Sequence, residues 1–394
     1  MKAHSFIYLI IYSCFIMSVS LQAQEHFADR YNVSYITMDD GLPHNFIDDI
    51  YKDTRGFLWI STAGGGLSRY DGYEFIHFNP NTPHSKLKSN FIHNVYEDRF
   101  HRLWIVSEGG TDIIDLSTLQ SVIPNDPKGL LPRFINHPTY IVILDSQGCI
   151  WLQCDNALHR ITFDAEGGID TLSTLDLPEQ DEPDLILKDI DEDGKIWTGI
   201  NGTIYKITPT PQGQLEKSSI SEQLTFWPGI YFKDMIAKEN EVWIATHIGL
   251  FRYNKSNNTR KLYENNQNDP HSLSQNYLTN LAITDDKQLI AGTLRGANIY
   301  NPITDNFERL THSSTSNSLL NSNFINCIRV DGQHIWFGTE SGGINKLTPK
   351  RLVIHNYQHD KENPASLSDN PVNVIYEDKE GSLWVGTVEG GLNL

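Results

Sequence analysis

Cysteine is scarce in this chain, with four in 394 residues, and one of them, Cys14, lies in an apolar stretch at the very start. The other three, Cys149, Cys154 and Cys327, are too few and too odd in number for a disulfide framework. Cys149 and Cys154 flank Trp151 in one expected strand, five residues apart on an extended chain, so a bond between them is excluded by reach. Basic clusters are also missing. The formal net charge is −18 and no run of Lys or Arg stands out, which disfavours a nucleic-acid backbone or an anionic bilayer as partner. The 15 histidines show no H-x-x-x-H or H-E-x-x-H spacing, and no glycine-rich phosphate loop opens a helix. No metal or cofactor is therefore expected. Low-complexity tracts, linkers and long amphipathic helices are absent too.

Long apolar runs are confined to the first residues. Lys2, the stretch FIYLIIYSCFIMSV and Leu21-Gln22-Ala23 have the order of an export signal, expected to occupy residues 1–23. The run is shorter than the ~20 residues of a spanning helix. Hydrophobic content of 39%, with 11% aromatics, is ample for a sizeable core.

What the chain has is repetition. Tryptophans fall at Trp59, Trp104, Trp151, Trp197, Trp243, Trp336 and Trp384, and Leu289 fills the one gap, so that successive separations lie between 45 and 48 residues. Each copy reads like Asp53–Phe78, DTRGFLWISTAGGGLSRYDGYEFIHF: short strands joined by glycine turns. Four antiparallel strands in about 46 residues make one blade of a β-propeller. The fold class expected is all-β, a propeller of four-stranded blades. A single blade cannot bury both faces, so the recurring Trp is read as filler between neighbouring sheets, a role that Leu289 can also serve.

Connections between copies are polar and end in Asn just before the next inner strand: Asn45, Asn90, Asn276, Asn323 and Asn370. These are read as turns that the Asn side chain closes onto its own backbone. Closure of the ring has two solutions. The strand at residues 31–37 completes a seventh blade, or it completes an eighth that stops at Leu394.

The blade sentence resembles the two-component regulator propeller repeat: YEDKEGSLWVGTVEGGLNL (376–394) matches it almost throughout, and YKDTRGFLWISTAGGGLSRYDG (51–72) nearly so. The resemblance covers residues 31–394 and favours seven blades, giving a first propeller over 24–350 and a first, truncated repeat of a second over 351–394. It implies the periplasmic sensor region of a hybrid two-component histidine kinase from gut Bacteroidetes. Such a region is non-catalytic, recognises glycan-derived oligosaccharides, regulates polysaccharide-utilisation genes, and acts as a homodimer anchored to the inner membrane by downstream segments. Kinase parts are not among these 394 residues, so the chain reads as an N-terminal fragment.

Several constellations invite chemistry. Asp189-x-Asp191-x-Asp193-Gly194 begins like a calcium loop, but Ile200 stands where the bidentate carboxylate is needed. D-x-x-G-x-x-W (Asp53, Gly56, Trp59) echoes the Asp-box turns of sialidases, yet the turn itself calls for Asp and Gly. Asp48 and Asp49 are adjacent on a strand and should face opposite ways. Trp227, off the period, is the one candidate ligand contact, since aromatic faces suit sugar C–H surfaces. A propeller hydrolase or lyase and a protein-interaction scaffold are the alternative functions.

Overall fold

The computed structural model describes residues 26–394 except 84–85, 155, 178–188, 191–195, 201–202, 211–212, 220–229, 314–318, 351–355 and 380. In the first copy, strands Ile47–Lys52, Leu58–Thr62, Gly66–Tyr70 and Phe75–Phe78 pair antiparallel in chain order. The second strand is buried along its whole length, because a sheet packs on each of its faces. Eight antiparallel sheets are present among the described residues, six of four strands and two of three, and we number the blades 1 to 8 in chain order, blades 2 and 8 being the three-stranded ones. Two compact units result, one ending at Lys350 and the other beginning at Arg351.

The first hairpin of a blade explains the spacing from Asp to Trp. Asp53 is 4% exposed; its Oδ1 accepts the backbone N–H of Arg55 and of Phe57, and its Oδ2 accepts the indole N–H of Trp59 at 2.8 Å. Asp98–Trp104, Asp145–Trp151 and Asp378–Trp384 repeat the bond at 2.8 to 2.9 Å. The carboxylate thus both folds the turn and tethers the ring that fills the wedge.

This six-residue relation corrects the assignment of Leu289. In blade 6 the carboxylate is replaced by Thr284, whose hydroxyl accepts the N–H of Gln288, and six residues on stands Ile290. Ile290 pairs with Ile299 as Trp59 pairs with Arg69, and it packs towards blade 7. Leu289 packs the other way, with Trp243 of blade 5. The period is uneven enough to hide a slip of one residue, and one residue on a strand exchanges its faces. Where the indole is lost, the carboxylate that would hold it is lost too.

Seven core clusters sit between adjacent sheets. Trp59 meets Leu87, Ile92 and Leu103 of blade 2; Trp104 meets Val142 and Ile150; Trp151 meets Ile196. Trp197 meets Val242, Trp243 meets Leu281, and Ile290 meets Ile335. The seventh cluster joins Cys327, Trp336 and Ile344 of blade 7 to Ile47, Ile50 and Ile60 of blade 1, which closes the ring.

Closure uses the first strand of the chain. Tyr31–Ile36 pairs antiparallel with Ile344–Pro349, from Tyr31 opposite Pro349 to Ile36 opposite Ile344, as the outer strand of blade 7. Of the two closures open to the sequence, the chain takes the seven-bladed one. A glycine at the start of the third strand registers the outer strand in blade after blade. A Cβ on Gly66, Gly296 or Gly343 would lie 2.2 to 2.4 Å from the carbonyl oxygen of Phe78, Leu310 or Ile36 respectively. Gly391 of blade 8, which has three strands, has nothing within 4 Å. In that unit Val374, Ile375 and Tyr376 are exposed and Trp384 is half-buried.

Candidate ligand-binding sites

One face of the ring is built from loops. The N–H of Gly66 donates to the carbonyl of Asn90, that of Gly296 to Asn323 and that of Gly343 to Asn45. Each turn between second and third strands is thereby joined to the loop entering the next copy. The asparagine side chains work over a longer span than a local turn. Asn276 Oδ1 accepts the N–H of Asn265, Asn323 that of His312 and Asn370 that of His359, closing loops from end to end.

At this face the inner strands carry a shared irregularity. Their pairing with the second strand skips Asp48, His93, Tyr140, Lys233, Thr279 and Asn326, a β-bulge at one register position in six of the ring's seven blades. A bulge bends the strand and re-aims its side chains, and these surround the axis. The axial cavity is about 370 Å³ and is lined by Asp48, His93, Tyr140 and Asn326 among others. Alternation is broken there, so Asp48 and Asp49 are not independent: burial, then the charge of Asp49, pushes Asp48 up to about 6. Burial also lowers His93, whose ring lies 5.4 Å from that of Tyr140.

In blades 2 and 6 the residue after the bulge is an asparagine that stitches three blades together. Asn94 donates to Asp49 Oδ2 at 2.9 Å and accepts the N–H of Val142 at 3.0 Å, linking blades 1, 2 and 3. Asn280 donates to Asp234 Oδ2 at 2.7 Å and accepts the N–H of Ile328 at 2.9 Å, linking 5, 6 and 7. These amides belong to the free edge of each inner strand, and an uncovered edge is a liability.

A second cavity, about 570 Å³, opens on the loop face between blades 6 and 7. Arg295, Arg309, His312, Gln267 and Asn265 contribute to its wall. Arg309 rises from the outer strand Asn306–Leu310, and its Nε and Nη2 donate to the carbonyls of Ser272, Asp269 and Leu273. His312 Nδ1 lies 2.8 Å from the carbonyl of Leu320, which can only accept, so Nδ1 carries the hydrogen.

Of the residues singled out from sequence, Trp227 lies outside the described residues, as do Asp191 to Gly194 of the calcium-like loop. Among the described residues the carboxylates of the D-x-x-G-x-x-W turns, Asp53, Asp145 and Asp378, are committed to backbone and indole donors; the first two are buried and Asp378 is half-buried. Cys149, Cys154 and Cys327 are buried and none is in a disulfide among the described residues, and burial raises Cys149 to about 11. Among the described residues no group of three His, Cys, Asp or Glu is placed to hold a metal. No described helix is long and apolar enough to cross a membrane. Sequence reading missed Arg295 and the bulged ring. Arg295 had a visible signal, since it stands where Gly65, Gly109, Gly342 and Gly390 precede the third strand in other copies.

By its fold the chain is a β-propeller of four-stranded blades. The profile of the two-component regulator propeller family matches residues 41–64 and 366–389, in the first and eighth blades. No curated protein matches the sequence. Among solved structures, the extracellular domain of a hybrid two-component system from B. thetaiotaomicron is 20% identical with a TM-score of 0.61, over 92% of this chain and 53% of that one. A second such domain from the same organism is 19% identical, TM-score 0.59, over 91% and 51%. Virginiamycin B lyase from Staphylococcus aureus is 16% identical, TM-score 0.54, over 81% and 99%. The chain spans about half the length of the two-component-system domains it resembles.

Proposed function

We propose that this propeller is the ligand-sensing region of a two-component signal-transduction protein, exported to the periplasm, non-catalytic, and selective for glycan-derived oligosaccharides. The observation that carries the reading is the pair of two-component regulator propeller matches, one in the first blade and one in the eighth. Polar loops that close on Asn side chains above a constant stack of sheets support it, because loops can vary without disturbing the stack. Signalling follows from population shift: a ligand that prefers one arrangement of paired sensor protomers biases the output, and polysaccharide-utilisation genes are the expected target. The likeness to a propeller lyase over nearly all of that enzyme's length favours a second reading, cleavage of an exported substrate. Calorimetric titration of the purified chain with an oligosaccharide panel, followed by chromatography of each mixture, separates the two. Binding with the oligosaccharide recovered intact is expected. Turnover of any member overturns the sensing role.

A further inference from the structure

The cavity between blades 6 and 7 is electrically unlike the molecule around it. The chain carries a formal net charge of −18, yet the wall of this cavity presents Arg295, Arg309 and His312 and no carboxylate. Neither guanidinium forms an ion pair among the described residues. Arg309 spends Nε and Nη2 on loop carbonyls and the Ser272 hydroxyl, while its Nη1 makes no hydrogen bond to the described residues. Arg295 is exposed, and its side chain makes no hydrogen bond to the described residues. With Nδ1 of His312 donating to Leu320, Nε2 is the nitrogen left over. Burial lowers the proton affinity of Arg309; Asp269 opposes that and the nearby Arg295 adds to it, so a counter-charge would relieve the pair.

A second observation comes from the repeat. The residue before the third strand is glycine in blades 1, 2, 7 and 8. At Gly65 and Gly342 a Cβ would lie 2.3 Å from Thr62 Oγ1 and 2.1 Å from Asn321 Oδ1, and at Gly109 it would lie 2.9 Å from Lys88 Cβ, part of the incoming loop. In blade 6 the same position accepts a whole arginine. The volume, about 570 Å³, is that of a small-ligand site, and the lining is polar throughout, which suits a hydroxylated ligand and not an apolar one.

We propose that this cavity is an anion subsite that takes the acid group, carboxylate or sulfate ester, of a small saccharide. The proposal rests on the reading that the propeller binds glycan-derived ligands, and adds the charge class and the place. Charge-assisted hydrogen bonds from Arg295 and from Nη1 of Arg309 would hold the acid, and Gln267 is placed to meet a hydroxyl.

Calorimetry of the full chain with digalacturonate, sulfated lactose and plain lactose tests it, alongside Arg295→Gln and Arg295→Lys. At least one acidic disaccharide should bind and lactose should not, with the two acids distinguishing carboxylate from sulfate. Arg295→Gln should weaken that binding about tenfold, with part regained in Arg295→Lys. Raising sodium chloride from about 50 to about 500 mM should weaken it further. Arg295→Gln binding the acids as tightly as the parent, or a folded parent that takes up neither acid, overturns the subsite. Lactose bound as well as the acids and untouched by Arg295→Gln overturns it and leaves the sensor reading standing. Cleavage of an acid whose binding needs Arg295 does the reverse: the subsite stands and sensing falls.

Discussion

Alanine at Gly343 should loosen the clasp of the ring, and the same change at Gly391 should not. Both glycines have positive φ, +69° and +82°, so alanine costs about 1 kcal/mol in either place from the left-handed backbone alone. At Gly343 a Cβ would also sit 2.3 Å from Ile36 O and 3.2 Å from Thr37 Cα, and these are backbone atoms with no rotamer to escape into. The end of the Tyr31–Ile36 strand must retreat, partly undoing the pairing of Ile36 with Ile344. It also uncovers Ile36, buried against Leu42, Ile47 and Trp336. A side chain of that size contributes about 2 kcal/mol when fully buried, so the total is about 3 kcal/mol. Native-state hydrogen exchange reads this directly. Amides of residues 31–36 should exchange more than 100-fold faster in Gly343→Ala. In Gly391→Ala, amides of the Leu383–Asn393 hairpin should change about fivefold. Equal, small effects at the two sites would refute the account of how the outer strand is registered.

Trp59→Phe removes a donor from the buried Asp53 and should cost about 2 kcal/mol more than Trp336→Phe, since the Trp336 indole N–H is buried with no hydrogen-bond partner among the described residues; paired denaturant melts would show it. Asp48 is raised to about 6, so its ionised form is penalised in the fold, and stability is full below about 4 and lost as pH climbs through 6. Asp48→Asn should therefore raise the melting temperature at pH 8 and leave it nearly unchanged at pH 4, by thermal scans across that range. Asn280→Leu leaves the N–H of Ile328 unpaired and takes a donor from Asp234, and should cost about 3 kcal/mol by urea unfolding.

The architecture was legible because each blade solves one geometric problem with the same residues: a wedge to fill, and turns that need positive φ at Gly56 and Gly66. Its details were not. Trp59 announced itself as packing, but the bond to Asp53 appears only when the turn is folded, and without it Leu289 and Ile290 are indistinguishable by period. In blade 2, His101 takes φ +57° where blade 1 has Gly56, so the turn survives without its glycine and its motif disappears from view. The bulged ring was hidden for another reason. Asp48, His93, Tyr140, Lys233, Thr279 and Asn326 share a position and no chemistry, so nothing in their letters aligns them. Arg295 was visible as a break in a glycine pattern, yet its meaning depends on a loop standing clear of it.

The strand Tyr31–Ile36 also sets a timetable. It is made early and its partner, Ile344–Pro349, comes last among the ring's strands, so at ordinary synthesis rates it waits roughly half a minute for its mate. Until then blade 7 is unfinished and the wedge between it and blade 1 is unsealed, with Trp336 and Ile47 each lacking the other's side. Joining the two ends is the most non-local step available to this chain, and such steps are slow. The ring therefore has a single late moment of commitment, before which any chaperone or wayward strand has an open edge to seize.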